Sequence, residues 1–167
     1  VVAGVAMQAI TQTTLTDSTL IGHNPESPGG GGLGLGRTVT VSELLGNEPV
    51  IAIVHASIPF DTAALAIRTA RESGIPVVGA IVQSNDGVLI SNRIGEPVIP
   101  IVDEVAAIDR VPLGELAAVE VAPIGSKIQT LCNPYGLATL FELDSDQTTR
   151  IAPAARALTG LRSAVII

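Results

Sequence analysis

The sequence predicts an α/β domain whose sheet combines parallel and antiparallel strands. Hydrophobic residues make up 47% of the 167 residues but aromatic residues only 2%, so the core must consist of Val, Ile, Leu and Ala. Many of these are β-branched and occur in short runs, which favours buried strands. A strand, an amphipathic helix and a second strand also follow one another over residues 50–82, as in a right-handed parallel crossover.

The N-terminal part predicts two strands separated by a glycine-rich loop. Apolar and hydroxyl residues alternate over residues 1–21, which indicates one long or bent strand. Residues 23–36 are expected to form a loop, because two X-Pro pairs favour extended backbone and six glycines follow within eight residues. A short strand over residues 37–41 should lead into one helical turn that begins at Ser42.

The central unit is the clearest. A continuous apolar strand over residues 50–54 precedes a helix that begins near Asp61 and ends at Gly74, with one buried stripe. A second apolar strand follows over residues 75–82. This order predicts two parallel strands joined by a helix that packs on the sheet.

Beyond this unit the pattern favours strands. The turn at Asn85-Asp86-Gly87 predicts a β-hairpin with a strand over residues 88–94, and residues 113–121 fit either state, with a helix favoured. The other predicted elements are strands over residues 99–102, 124–130, 137–143 and 163–167, and a helix that begins at Asp144 or Ser145, contains Pro153 and ends at Gly160.

Composition and charge exclude several functional classes. The net charge is −7 and Lys127 is the only lysine, so no basic patch exists to bind nucleic acid. Cys132 is the only cysteine, which excludes an intramolecular disulfide and a Cys-x-x-Cys motif. The longest apolar runs are shorter than the roughly 20 residues of a membrane span, and no signal peptide is visible. We expect a cytoplasmic protein, with residues 1–167 forming a single domain cut from a longer chain.

Three familiar enzyme motifs are not supported. Gly29, Gly31 and Gly34 satisfy Gly-x-Gly-x-x-Gly, but no strand precedes them and a strand-like segment follows, so the helix that would bind a pyrophosphate is missing. A Cys132 nucleophile with His23 or His55 lacks a neighbour that would lower the thiol pKa. A phosphoacceptor domain would need clustered acids after the first strand, an aspartate at the end of a later strand and a lysine near the last strand. The only lysine, Lys127, instead lies between two weakly predicted strands.

Acidic residues offer a better candidate site. Asp86 and Asp103 flank residues 88–102, and Asp103 follows a buried strand. Strand-end carboxylates together with a loop hydroxyl would form an oxygen-only set suited to Mg²⁺ or Ca²⁺. Two solvated turn residues are the alternative interpretation.

Several sequence blocks carry a family signature: residues 16–30, 85–93, 101–105, 109–114 and 133–139. Together they resemble the large subunit of the reactivating factor for adenosylcobalamin-dependent diol and glycerol dehydratases. The resemblance covers nearly the whole chain but only one domain of that larger subunit. It implies the swivelling domain, a three-layer β/β/α arrangement with parallel and antiparallel strands.

The resemblance also implies a divalent cation at the contact with the small subunit. Its ligands in this chain would be the hydroxyl of Ser27, the side chain of Asn85 and the carboxylate of Asp103. Asn85 stands where the family has a carboxylate, so one negative charge is lost, and Asp86 could substitute for it.

The family's function is an ATP-dependent chaperone that releases damaged cobalamin from an inactivated dehydratase. ATP or ADP is expected only in the full-length subunit, whose hydrolysis site lies on either side of this domain. The domain itself is then non-catalytic and binds the small subunit, with the dehydratase as the client and association with a bacterial microcompartment as a further expectation. The alternatives are a free-standing small α/β enzyme or ligand-binding domain, and a structural domain of a related chaperone such as the ethanolamine ammonia-lyase reactivating protein.

Overall fold

A mixed sheet organises the part of the chain that our computed structural model describes, residues 20–21 and 28–167. Seven strands of these residues form the sheet, in the order β1-β7-β6-β2-β3-β4-β5. The strands are β1 Leu20–Ile21, β2 Gly32–Thr40, β3 Val50–Val54, β4 Val77–Val82, β5 Ile101–Val102, β6 Leu116–Val121 and β7 Ser163–Ile166. The strand predicted over residues 1–21 lies outside the described residues except for β1.

Four α-helices connect the strands within the described ranges: α1 Phe60–Glu72, α2 Gly87–Ile94, α3 Pro134–Phe141 and α4 Ser145–Ala157. Short 3₁₀ turns cover Val41–Glu43 and Ile108–Arg110. Among the described helices we find none with the length and apolar character that a bilayer crossing requires.

Strand direction divides the sheet into two halves that meet at β2. β2, β3, β4 and β5 pair in parallel, whereas β6 pairs antiparallel with β2 and β7, and β1 with β7. The first part of β2, from Gly32 to Arg37, pairs with β6, and its last part pairs with β3. The predicted α/β class with parallel and antiparallel strands is confirmed.

The sheet folds back on itself. In a flat sheet β5 and β6 would lie about 19 Å apart, since four strand spacings separate them, yet Cα atoms of β5 lie within 8 Å of those of β6 and β7. The approach depends on Gly34, where a Cβ would lie 2.1 Å from the carbonyl oxygen of Val78. The two β layers are therefore the two halves of one folded sheet.

One apolar core fills the space between these halves and two more lie under the helices. The inner core includes Ile51, Ile81, Val119 and Val165. On the outer surface, α1 and α2 pack on the parallel half and α3 and α4 pack on the antiparallel half. All four described helices therefore cover the outer face of the folded sheet.

Several predicted elements are confirmed. The strand over residues 50–54 is β3, and the helix that follows ends before Gly74, which has a φ of +87°. The final helix begins as predicted, because Asp144 and Gln147 form a reciprocal capping box. The strand over residues 75–82 is β4, that over residues 99–102 shortens to β5, and the last strand is β7.

The predictions over residues 88–94 and 113–121 were wrong, in opposite directions. Residues 88–94 lie in α2, not in a hairpin strand, because Ile90 and Ile94 are buried one helical turn apart. Residues 116–121 form β6 and not a helix. In β6 Val119 points into the inner core and Ala118 into the outer one, which is the two-residue period of a strand.

Three further predictions also need correction. Residues 137–143 lie mostly in α3 and not in a strand, since the side chain of Asn133 accepts a hydrogen bond from the backbone N–H of Tyr135 and caps the helix. Residues 124–130 form no strand, because the carboxylate of Glu120 accepts the N–H groups of this segment. The predicted loop over residues 23–36 ends earlier than expected, since Gly32–Thr40 is one strand.

Candidate functional site

The carboxyl ends of the parallel strands meet at one edge of the sheet. His55 follows β3, Gln83 and Asn85 follow β4, and Asp103 follows β5. In open α/β sheets this edge is where ligands bind, because helix N-termini and loop side chains converge there. This edge is therefore the candidate site.

Asp103 is the most unusual residue of this edge. Its side chain is fully buried, at 0% exposure. Its Oδ2 accepts a hydrogen bond of 2.9 Å from the backbone N–H of Gly87, the first residue of α2. The partial positive charge at a helix N-terminus stabilises a carboxylate, so Asp103 serves at least as an anchor for α2.

Asn85 lies close to Asp103 along the backbone. The N–H of Glu104 donates a hydrogen bond of 3.1 Å to the carbonyl oxygen of Ser84, which joins the segments after β4 and β5. Asn85 and Asp103 are the immediate neighbours of these two bonded residues. Asn85 is exposed, in contrast to Asp103, and Ser27 lies outside the described residues.

Asp86, the suggested substitute for the missing carboxylate, occupies the N-cap position of α2. Its side chain makes no capping hydrogen bond there and is partly exposed. Oδ2 of Asp103 instead accepts the N–H of Gly87, the first residue of the helix. The sequence could not indicate this contact, since Gly87 and Asp103 are 16 positions apart.

The donor types of the predicted set fit a hard divalent cation. A hydroxyl, an amide oxygen and a carboxylate are oxygen ligands of the kind that Mg²⁺ and Ca²⁺ prefer. Across the described part of the chain, no group of three or more His, Cys, Asp and Glu side chains could hold a metal ion. The set Ser27, Asn85 and Asp103 therefore stays a prediction.

A glutamine side chain links the segments at the same edge. Oε1 of Gln83 accepts a hydrogen bond of 2.8 Å from the N–H of Ala56, and its Nε2 donates one of 3.1 Å to the carbonyl oxygen of Ala106. Nε2 of His55 lies 3.2 Å from Oδ1 of Asp109. These contacts join the loop after β5 to the ends of β3 and β4. The sequence analysis did not predict this linking role of Gln83. The only indication in the sequence is that a polar residue directly follows a buried strand.

The cleft between α3 and α4 does not resemble an active site. It has a volume of about 700 Å³, and Tyr135, Thr148 and Arg156 are among its lining residues. The hydroxyl of Thr148 already donates to the carbonyl oxygen of Asp144. Near the same helices, burial and then the charge of Glu120 raise the pKa of the Cys132 thiol, which disfavours a thiolate nucleophile.

Comparison with known proteins gives the fold a family. Residues 15–167 match the family model described as the DD-reactivating factor swiveling domain. The chain belongs to this family. The resemblance inferred from the sequence blocks is thereby confirmed, and the family covers both halves of the folded sheet.

Curated relatives match the chain over its whole length. It is 51% identical over 170 residues to the diol dehydratase-reactivating factor large subunit of Klebsiella michiganensis. It is equally similar, at 51%, to the propanediol dehydratase-reactivating factor large subunits of Citrobacter freundii and Salmonella typhimurium. Each match covers 100% of this chain and 28% of the relative, so the chain spans little more than a quarter of these family members.

Solved structures agree. A glycerol dehydratase reactivase superposes with a TM-score of 0.86 at 43% identity, covering 94% of this chain and 26% of the other. The nucleotide-free diol dehydratase-reactivating factor superposes with a TM-score of 0.86 at 51% identity, covering 96% and 27%. The chain therefore has the family's fold as well as its sequence.

Proposed function

We propose that this chain is the docking domain of a larger dehydratase-reactivating subunit. It binds the small subunit of the reactivating factor and performs no chemistry of its own. The complete subunit hydrolyses ATP and uses the cycle to release damaged cobalamin from a diol or glycerol dehydratase. The assembly works in the cytoplasm, in association with a bacterial microcompartment.

The observation that carries the proposal is the extent of the match. The chain aligns along its full length with large subunits of reactivating factors and accounts for 28% of them. Its glycine motif argues against nucleotide binding, because Gly34 lies within β2 and a strand, not a helix, follows Gly31. ATP hydrolysis is accordingly assigned to the remainder of the subunit.

The carboxyl edge of the parallel half is the proposed docking surface. Ser27, Asn85 and Asp103 would hold Mg²⁺ or Ca²⁺ there, and the bound cation would supply a positive charge that carboxylates of both subunits share. A domain that rotates can report the nucleotide state to its partner only if the partner binds one orientation better than the other. The hydrogen bonds by which Gln83 joins the loop after β5 to the end of β3 support such an orientation-dependent contact.

Calorimetric titration of the intact large subunit with the purified small subunit tests the proposal. Asp103→Asn keeps the shape of the side chain and removes its charge, and should weaken binding by roughly tenfold or more, the effect of one hydrogen-bonded charge. Asp146→Asn, an equal change at an exposed position of α4, should leave the affinity unchanged.

Three results would contradict the proposal in different ways. If the unmodified subunit does not bind the small subunit, the docking role is wrong. If Asp103→Asn binds as tightly as the unmodified protein and a chelator has no effect, docking does not use this cation site. ATP hydrolysis by the 167 residues alone would contradict the non-catalytic assignment.

A further inference from the structure

Two glycines from distant parts of the sequence lie in contact beside Asp103. The N–H of Gly29 donates a hydrogen bond of 2.9 Å to the carbonyl oxygen of Ile101, and its own carbonyl accepts one of 3.0 Å from the N–H of Ile101. This isolated antiparallel bridge places Gly29 beside the first residue of β5. Gly87, at the start of α2, lies against it.

A Cβ at either glycine would lie closer to a neighbouring atom than ordinary packing allows. A Cβ on Gly29 would lie 2.1 Å from the carbonyl oxygen of Gly87, and a Cβ on Gly87 would lie 2.8 Å from Oδ2 of Asp103 and 3.0 Å from the backbone nitrogen of Gly29. Neither glycine has a positive φ, so an L-residue could adopt the backbone conformation of both. The requirement for glycine is therefore one of space.

We propose that Gly29 and Gly87 are positioning residues for Asp103. Their missing side chains let three segments close on one another: the residues before β2, the first turn of α2 and the residue after β5. That closure sets the 2.9 Å hydrogen bond between the Gly87 N–H and Oδ2 of Asp103. The inference rests on the proposed docking function, because it assigns to the two glycines the orientation of the Asp103 carboxylate that docking uses.

The first test is Gly87→Ala in the intact large subunit. The new methyl group would lie 2.8 Å from Oδ2 of Asp103, so this carboxylate must shift, whereas the helix itself gains because alanine has the higher helix propensity. The affinity for the small subunit should nevertheless fall by roughly tenfold, the effect of disturbing one charged hydrogen bond. Gly31→Ala is the matched control, since its Cβ would meet nothing closer than the carbonyl oxygen of Val121 at 3.8 Å.

A double-mutant cycle separates positioning from a general structural effect. If Gly87 acts through Asp103, Gly87→Ala should cause no further loss of affinity in the Asp103→Asn background. Losses that add would overturn the inference. So would an affinity of Gly87→Ala equal to that of Gly31→Ala.

Hydrogen exchange of the residue 87 amide gives a readout that does not need the partner. Gly87→Ala and Gly29→Ala should each accelerate this exchange by roughly tenfold or more, because the amide loses a well-aligned acceptor, and Gly31→Ala should not. If the unmodified subunit fails to bind its partner but the exchange rates follow this order, the proposed function is wrong and the positioning role stands. Equal exchange rates in all variants overturn the positioning role. Gly87→Ala carries the test alone if Gly29→Ala does not fold.

Discussion

Oε2 of Glu120 accepts a hydrogen bond of 2.8 Å from the backbone N–H of Leu131. The same carboxylate also accepts the N–H groups of Gln129 and Thr130, both at 3.1 Å. Glu120 is 8% exposed, so three consecutive backbone donors take the place of water around its charge. The contact attaches the irregular segment between β6 and α3 to the antiparallel half of the sheet.

Replacing Glu120 should destabilise the fold. Glu120→Gln retains one acceptor oxygen and should lower the free energy of unfolding by about 2 kcal/mol, and Glu120→Ala, which leaves three donors without an acceptor, should cost more than about 3 kcal/mol. Urea denaturation followed by circular dichroism measures both. Glu48→Gln, at an exposed position, is the control and should stay within about 0.5 kcal/mol.

Cys132 should react slowly with thiol reagents. Burial first, and the negative charge of Glu120 second, raise the pKa of its thiol, so less thiolate is present at any pH below that value than in an exposed cysteine. Labelling with iodoacetamide should be slower for the folded chain than for the chain in urea. The measurement is made between about pH 7 and 9, because this range brackets the pKa of an ordinary cysteine thiol.

Glu120→Gln should accelerate that labelling. The substitution removes the charge that disfavours the thiolate, so the pKa of Cys132 should fall. The raised pKa of Cys132 in the folded state also affects stability. The protonated thiol contributes to the free energy of unfolding at low pH, and this contribution is lost as the pH rises through the raised pKa. Labelling of folded Glu120→Gln at the unmodified rate would show that the carboxylate does not influence the thiol.

Gly34→Ala should disrupt the folded sheet. Its Cβ would lie 2.1 Å from the backbone carbonyl oxygen of Val78, so the two backbones would have to move apart. We expect a loss of at least about 3 kcal/mol in unfolding free energy, the upper part of the range for overpacking. Thermal melting measures it, with Gly31→Ala as the control. A stable Gly34→Ala variant would mean that the halves do not need this contact.

Glu142→Gly should stabilise the protein. Glu142 ends α3 in the left-handed conformation, with φ 52° and ψ 47°, where a Cβ costs about 1 kcal/mol. Glycine removes that cost but adds freedom to the unfolded chain, so the net gain should be about 0.5 kcal/mol. Glu142→Ala retains the Cβ and should give no gain. The difference in melting temperature between the two variants measures the effect.

The sequence alone determined the elements whose signals are local. The apolar run of β3, the glycine after α1 and the capping box of Asp144 each act within a few residues, and local propensity and hydrogen bonding suffice to predict them. The sequence blocks likewise identified the family, and the prediction that Ser27, Asn85 and Asp103 share a site came from the same resemblance.

Tertiary contacts decided the rest. Residues 88–94 could form a strand or a helix from their own pattern, and the buried carboxylate of Asp103, distant in sequence, stabilises the helix start. The sequence pattern of the segment after β6 predicts a strand, but its N–H groups donate hydrogen bonds to the carboxylate of Glu120 instead of to a neighbouring strand. Position 34 requires glycine because Val78 of β4 lies against it. No local sequence pattern can predict this contact, since the two residues are far apart in the chain. Sequence periodicity shows which face of an element is apolar, but the partner that covers this face depends on contacts between residues far apart in the chain.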